Sequence, residues 1–364
     1  MGKTPSRDNP DYWNGSETWV SIGDMNSSKT ISSSKEQITN KAVRESGIKI
    51  VPKGCVIMSF KLSVGKVAIA ATPLYTNEAI MSFKPKDGYN LLPDFIYYYL
   101  RGYKWDGVNR AAMGLTLNKA TISQGRFSYP PIPEQERIVA ELDLLSGIID
   151  KQKQQLKELD TLAQSIFYDM FGNPVENDKG WKTSTLKDVA PQKSYTGIIP
   201  SIDGKYWVLN LDMVAQQTGE VISKVLFDKD DIGSSTMCFD TSNVLYSKLR
   251  PYLNKVVLPD AIGYGTTELV PLKPNPSLLN RVFLAYLLRS KAFVDYISVK
   301  VAGAKMPRVS MDVLRLFPII LPQLALQKSF AEKIAAIEQQ KDTINRSIAE
   351  SQKLFDYTMD KYFG

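Results

Sequence analysis

The chain contains one sequence pattern twice, which constrains its fold more than any other feature. Displacing the 364 residues by about 190 positions places Trp19 on Trp207, Met25 on Met213, and Val56–Ser59 on Val244–Ser247. Each copy is long enough to bury its own core, unlike a solenoid repeat of roughly 20–50 residues. Further matches are Asp24 with Asp212, Phe95, Tyr98, Leu100 and Arg101 with Phe283, Tyr286, Leu288 and Arg289, Pro130 and Gln135 with Pro322 and Gln327, and Phe171 with Phe363.

Each copy ends in a stretch with the periodicity of a long helix. Apolar residues from 134 to 170 recur in alternating steps of four and three, which is typical of a coiled-coil seam, and the stretch from 323 repeats this more weakly. Two ordinary core helices in a larger domain are the alternative. The predicted seam is Ile138, Leu142, Leu145, Ile149, Leu156, Leu159 and Ile166 in the first copy, and Phe330, Ile334, Ile337, Ile344, Ile348 and Phe355 in the second.

The rest of each copy predicts a mixed α/β (α+β) fold. Short β-branched segments at residues 55–60, 66–70, 243–247 and 254–258 are bounded by Gly, Pro, Asn or Asp and predict strands. Segments 93–100 and 280–290 predict a helix packed on each sheet. We therefore expect a globular part at 1–130, a helix at 131–172, a second globular part at 173–320 and a second helix at 321–364.

Charge separates the globular parts from the helices. Residues 134–172 contain four basic and eight acidic side chains and residues 323–364 contain six of each, so the helices carry −4 of a net charge of +7. The globular parts therefore carry +11. A polyanion is expected to dock there, although many unrelated soluble proteins are equally basic.

Several classes of protein are disfavoured by composition. No apolar run of about 18 residues and no apolar signal region occurs, which predicts a cytoplasmic protein without a membrane segment. Histidine is absent, so this chain alone cannot form a His-based triad or an ordinary zinc site. Cys55 and Cys238 occupy non-equivalent positions in the two copies, which argues against a disulfide framework or a cysteine metal site.

Four segments resemble the specificity subunits of type I restriction-modification enzymes. Residues 2–15, GKTPSRDNPDYWNG, are similar to the opening GxTPSR…YW-NG segment of that family. Residues 246–255, YSKLRPYLNK, resemble its SKxRPxxxK loop. Both copies pass through a proline-rich turn into the long helix, at Pro130–Gln135 as PPIPEQ and again, less completely, at 321–327. The resemblance covers essentially the whole chain.

The resemblance implies an architecture and a set of partners. Two target-recognition domains would be joined by two antiparallel helices and would read a bipartite double-stranded DNA site, with the helices setting the unread spacer. Two methylation subunits and restriction subunits would supply catalysis, so S-adenosylmethionine and ATP with Mg are expected only on those partners, and no metal or cofactor on this chain. The second copy has a lead-in at 180–189 without a counterpart before Gly2, so we expect a shortened first domain.

Candidate DNA-binding residues lie at three places in each copy: the opening loop, the strand-turn segment and the residues before the proline turn. Lysines would mostly hold phosphates, whereas Arg7, Arg250 or Arg308 could contact guanine O6 and N7 bidentately. For any one of them a solvated surface charge is the alternative. The candidates are Thr4, Ser6, Arg7, Lys61, Lys66, Asn118 and Lys119, and Ser194, Tyr195, Thr196, Lys248, Arg250, Lys255, Lys305 and Arg308.

Catalysis by this chain is not indicated. Residues 9–12, NPDY, differ by one residue from the NPPY tetrad of adenine methyltransferases, but no glycine-rich turn for S-adenosylmethionine and no GxxxxGK[ST] run accompany them. Two alternatives to a non-catalytic specificity subunit stay open. One is a DNA-targeting adaptor for another nuclease or methyltransferase, and the other is a coiled-coil protein scaffold, whose binding would not depend steeply on salt.

Overall fold

The computed structural model describes residues 1–25, 28–105, 109–111, 114–303 and 305–364, and only the backbone of residues 109–111, 114, 115, 119 and 302. It divides into two compact units, the first made of Met1–Gln152 and Ser347–Gly364, the second of Lys153–Arg346. Each unit therefore contains one globular part and one half of each long helix. Within these residues, no helix combines the length and apolar composition that a bilayer crossing requires.

The globular part of the first unit contains short strands in three sheets among the described residues. The strands are β1 (Trp13–Val20), β2 (Thr30–Ile31), β3 (Glu36–Ile38), β4 (Val56–Ser59), β5 (Lys61–Leu62), β6 (Val67–Ala70), β7 (Tyr75–Thr76), β8 (Ile80–Phe83), β9 (Asn109–Ala111) and β10 (Gly114–Thr116). The sheet orders are β3-β1-β7, β2-β6-β4-β8 and β5-β10-β9. Pairings β1–β7 and β2–β6 are parallel, and the others are antiparallel.

Helices α1 (Asn40–Ser46), α2 (Pro93–Gly102) and α3 (Lys119–Gln124) pack around these sheets. Proline suits the first turn of α2 because its missing N–H would have no partner there. Phe95 and Tyr98 of α2 are almost fully buried in a core with Val56 and Met58 of β4. The tyrosine-rich helix α2 thus contributes mainly to the core, as its helical pattern predicts.

The second unit repeats this arrangement with more regular elements. Its strands are β11 (Thr183–Thr185), β12 (Tyr206–Leu209), β13 (Val225–Phe227), β14 (Thr236–Phe239), β15 (Val244–Ser247), β16 (Val256–Val257), β17 (Gly263–Thr266), β18 (Leu269–Leu272), β19 (Val301–Ala302), β20 (Arg308–Val309) and β21 (Pro318–Ile320). They form sheets β13-β12-β17-β14, β16-β15-β18, β11-β21 and β19-β20. The helices are α5 (Leu186–Val189), α6 (Arg281–Arg289), α7 (Lys291–Ser298) and α8 (Met311–Arg315).

The long helices α4 (Ile132–Phe171) and α9 (Leu324–Phe363) run antiparallel within each unit. In the first unit early α4 meets late α9, where Arg137 donates to the Tyr362 hydroxyl at 3.1 Å. In the second unit late α4 meets early α9, where Lys341 donates to Asp160 at 2.8 Å. The predicted pair of long antiparallel helices is therefore confirmed, as is the mixed α/β class.

The helix seam is apolar towards the helix ends and more polar between them. Gln152 donates to the Ser347 Oγ at 2.7 Å, and Lys341 lies among Asp160 and Glu338. Such polar contacts fix the register of paired helices at some cost in stability. Among the predicted seam residues, the structure buries Ile138, Leu142, Leu145, Ile149, Phe330, Ile334, Ile337 and Phe355 and half-buries Leu156, Leu159, Ile166, Ile344 and Ile348.

A buried glutamine anchors each long helix to its globular part in the same way. Gln135 donates to the carbonyls of Asn90 and Pro130 at 2.9 and 2.8 Å and accepts the Leu92 N–H at 3.0 Å. Gln327 makes the corresponding three bonds in the second unit, to the carbonyls of Leu278 and Pro322 and from the Asn280 N–H. The repeat seen in sequence thus extends to individual hydrogen bonds.

Candidate nucleic-acid interface

The turn after β15 is the most exposed concentration of predicted DNA-binding residues in the second unit. Arg250 adopts the left-handed conformation (φ 49°, ψ 63°), and a 3-10 turn at Pro251–Leu253 follows it. The Arg250 N–H donates to the Pro307 carbonyl at 2.8 Å, and the Val309 N–H donates to the Lys248 carbonyl at 3.0 Å. These bonds join two segments that are more than 50 residues apart in sequence into one surface.

Four predicted residues meet on this surface: Lys248, Arg250, Lys305 and Arg308. Arg308 forms a salt bridge to Glu268, with its Nη donating at 2.9 Å and its Nε at 3.1 Å, and this hydrogen bonding raises the pKa of Arg308. The exposed side chains of Arg250 and Lys305 make no hydrogen bond or ion pair with the described residues. They are therefore the groups most available to a ligand.

Two other predicted segments of the second unit lie elsewhere. Lys255 donates its Nζ to the Leu211 carbonyl at 2.5 Å, and partial burial lowers its pKa, so it has a packing role within the unit. Ser194 and Thr196 are exposed, and Tyr195 between them donates its N–H to the Cys238 carbonyl of β14 at 2.9 Å. Their contact with DNA stays a prediction.

The first unit contains the same turn with a different side chain. The Leu117 N–H donates to the Phe60 carbonyl at 2.8 Å, as Val309 does to Lys248. The left-handed position of Arg250 is occupied by Leu62, with φ 67° and half of its surface exposed. The two turns thus share this hydrogen bond and a left-handed residue, but not the exposed guanidinium.

The other predicted DNA-binding residues near this turn of the first unit make local contacts, except one whose side chain lies outside the described residues. Lys61 in β5 is half-buried, with its Nζ 5.5 Å from the centre of the Phe60 ring. The Lys66 N–H donates to the Ser59 Oγ at 3.0 Å. Asn118 caps α3 by accepting the Thr121 N–H at 2.8 Å, which is a structural task. Lys119 is the first residue of α3, and its side chain lies outside the described residues.

The opening loop of the first unit is tied to its own sheet. The Arg7 guanidinium lies 3.9 Å from the centre of the Trp13 ring and makes a forked salt bridge to Glu36, whose hydrogen bonding raises the pKa of Arg7. Thr4 donates to Glu78, and the Ser6 carbonyl accepts the Trp13 Nε1–H at 3.1 Å. Arg7 is preorganised, but both of its terminal nitrogens already have a carboxylate partner.

A comparison with known protein families accounts for this duplicated architecture. The family model described as the type I restriction modification DNA specificity domain matches residues 1–161 and again residues 178–351. The chain belongs to this family. Both copies of the sequence pattern are matched, so the repeat and the resemblance deduced from the motifs are confirmed.

Known family members are similar to all or part of the chain. The MjaIX specificity subunit of Methanocaldococcus jannaschii is 25% identical over 360 residues, which is 90% of this chain and 81% of that protein. The EcoR124I/EcoR124II specificity subunit of Escherichia coli is 33% identical over 152 residues, 39% of this chain and 37% of that protein. A type I specificity subunit from M. genitalium has the same fold, with a TM-score of 0.52 at 13% identity, over 100% of this chain and 92% of that one.

Two further exposed side chains lie beside Arg250 that were not among the predicted residues, one in the 3-10 turn and one in the facing segment. Tyr252 follows Arg250 in the 3-10 turn and is 47% exposed, and Met306 adjoins Pro307 and is 48% exposed. Exposed large side chains beside an unpaired arginine can contact base edges or sugars. Tyr252 lies within the SKLRPYLNK motif, which was the available signal.

Proposed function

We propose that this chain reads a bipartite DNA target, one half with each unit, and directs methylation and restriction subunits to it. Recognition of a DNA target follows from membership of the specificity family, whose model matches both halves. The observation that supports division of the target is the duplicated turn, Phe60–Leu62 and Lys248–Arg250, which shares one hydrogen bond to the facing segment and a left-handed residue but carries different exposed side chains.

The second turn has the chemistry of base readout. The backbone of Arg250 is fixed by the turn, and its guanidinium fork matches guanine O6 and N7 in the major groove. Lys248 and Lys305 on the same surface would contact phosphates and set the register. Arg308 is held by Glu268 and would support the surface or exchange its partner on binding.

Catalysis and its cofactors are proposed to lie on partner subunits. In this chain the tetrad Asn9–Tyr12 has structural roles: Asn9 accepts the Asp11 N–H at 3.1 Å, and Tyr12 donates to Glu45 at 2.8 Å. These bonds support assigning the tetrad to the scaffold. S-adenosylmethionine, ATP and Mg are then expected on the methylation and restriction subunits, two of the former gripping the helices and adjacent surfaces.

The decisive experiment is to map adenine methylation in cells that express the chain with a cognate methylation subunit. A two-part motif with an unspecified spacer, absent when this chain is omitted, is the expected result. A motif that persists without the chain, or a contiguous motif, contradicts the proposal. Steep loss of DNA binding between about 50 and 200 mM salt is expected for a phosphate-binding surface and would exclude a purely protein-binding scaffold.

A further inference from the structure

The two units differ in what lies beside the segment that leads into each long helix. In the second unit this segment is β21, and β11 pairs with it, Ser184 lying opposite Ile319. The Leu321 N–H donates to the Lys182 carbonyl at 2.7 Å, and the Leu186 N–H donates to the Phe317 carbonyl at 2.9 Å. The lead-in to β11 and α5 thus closes this edge of the second unit.

In the first unit the equivalent segment has no strand beside it among the described residues. Asn118 and Ser310 cap the preceding helices α3 and α8 alike, which aligns Gly125, Phe127 and Tyr129 with Phe317, Ile319 and Leu321. The Gly125 carbonyl and the N–H groups of Phe127 and Tyr129 make no hydrogen bond with the described residues. These backbone groups form a strand edge that is open for pairing.

An apolar cavity of about 250 Å³ lies next to that edge. Its lining includes Ile96, Leu100, Ile122 and Phe127, whose counterparts Leu284, Leu288, Leu314 and Ile319 belong to the core that buries Leu186 and Val189 of α5. Those four counterparts are fully buried, whereas Phe127 is only half-buried. The Trp105 Nε1–H, which also borders the cavity, has no partner among the described residues.

We propose that this edge of the first unit binds a peptide segment as an added antiparallel strand followed by a helical turn, with two apolar side chains three residues apart seated in the cavity. The second unit shows the chemistry of such an occupant in residues 182–190. Backbone pairing supplies affinity in this mode, and side chains that enter a cavity supply selectivity. The inference rests on the repeat and the cavity and does not depend on how DNA is read.

The test uses a fluorescent synthetic peptide with the sequence of residues 180–191, titrated into the full chain and followed by anisotropy. Saturable binding is expected, because one peptide can make the pairing that β11 makes in the second unit. A peptide carrying Leu186→Asp and Val189→Asp should bind at least about tenfold more weakly, since charged side chains oppose entry into an apolar cavity. Absence of binding by the parent peptide overturns the proposal.

A matched pair of chain variants tests the geometry. Tyr129→Pro removes an N–H that makes no hydrogen bond with the described residues, yet corresponds to the N–H of Leu321 that pairs with Lys182. Binding should weaken about tenfold in Tyr129→Pro and change by less than about threefold in Tyr129→Ala, which keeps the N–H. Equal affinity of the two variants contradicts strand addition.

Two further measurements test where the peptide binds and whether a second copy of the chain occupies the same edge. A photoreactive group at position 189 of the peptide should cross-link to residues 84–85 or 122–127. Cross-linking to residues 314–321 instead would mean exchange into the second unit and overturns the assignment. Sedimentation of the chain alone addresses a second copy as occupant: a dimer that Tyr129→Pro dissociates would also overturn it.

Discussion

The turns at Leu62 and Arg250 share a left-handed residue and a hydrogen bond to the facing segment, and they differ in the side chain they expose. Both residues are left-handed, a conformation that costs non-glycine residues about 1–2 kcal/mol, and both turns are fixed by hydrogen bonds to the segment that precedes the proline turn. A scaffold that holds an unfavourable conformation twice positions a side chain reproducibly. The difference between Leu62 and Arg250 shows that the two units expose different side chains at equivalent, similarly held positions.

Lengthening both helices should have the largest effect. In the proposed function the helices set the spacer between the two DNA half-sites, and each turn reads its own half-site. Seven residues inserted after Gln152 and seven before Ser347 keep the heptad register and add about 10 Å, or about three base pairs. Methylation mapping should show the original half-sites with a longer spacer and no modification of the original motif. An unchanged spacer would contradict a measuring role for the helices, and insertion of four residues, which breaks the register, is the control.

Replacing the buried glutamines tests whether the two units are equally dependent on their common frame. Gln135→Leu and Gln327→Leu each leave a backbone N–H and two carbonyls without the bonds they now make, which should lower the free energy of unfolding by about 2–4 kcal/mol. Urea unfolding measures the loss. Gln155→Leu, at an exposed position of α4, is the control and should change little. A large loss of stability in only one of the two variants would show that the two units do not depend equally on their buried glutamine.

Substituting Arg250 and Leu62 tests whether the different side chains of the two turns give the two half-sites their separate specificities. Arg250→Ala should cost about 1–3 kcal/mol of specific DNA binding and relax one half-site, whereas Arg250→Lys should retain phosphate affinity and lose base selectivity. Arg315→Ala removes the same charge from α8 of the same unit and serves as the control. Leu62→Arg should alter only the other half-site. Changes in both half-sites from either substitution would contradict independent reading.

The features that could be predicted from the sequence are those that depend on neighbouring residues, and the features that could not depend on residues far apart in the chain. Heptads, strand segments and the helices after Pro93 and Asn280 are local patterns, and the structure confirms them within a few residues. The SKLRPYLNK motif located the second turn, but nothing in Phe60–Leu62 predicts a left-handed leucine. Such a conformation is set by pairing with residues that lie more than 50 positions away.

The partners of the predicted charges were equally inaccessible. Arg7 faces Glu36, Arg308 faces Glu268 and Lys255 faces the Leu211 carbonyl, and each partner lies 29 to 44 positions away in sequence. Local sequence shows that a residue is basic, but only the fold shows whether its charge is already used. Arg250 and Lys305, which are exposed and make no side-chain hydrogen bond or ion pair with the described residues, are for this reason sharper candidates than these three.

The smallest expected effect concerns pH and the capping box formed by Ser21 and Asp24, which is not found at the turn that contains Asp212. Burial raises the pKa of Asp24, but hydrogen bonds from the Ser21 hydroxyl at 2.6 Å and from the N–H groups of Ser21 and Lys35 outweigh it, so the pKa is lowered overall. A carboxyl with a lowered folded pKa stabilises the fold above its unfolded pKa of about 3.9, and this contribution is lost as pH falls through the folded value.

Asp24→Asn should therefore reduce stability slightly at pH 7 and move the midpoint of acid unfolding by about half a pH unit or less, measured by circular dichroism. Asp212→Asn is the matched control, because Asp212 is the counterpart of Asp24 in the repeat but is the second residue of its 3-10 turn, whose N-cap, Asn210, makes no side-chain cap hydrogen bond. A smaller change is expected there. Equal shifts in the two variants would show that the cap is not what distinguishes these two positions in acid, since Asp24 accepts the Ser21 hydrogen bonds that an ionised aspartate strengthens and no such bond is described for Asp212.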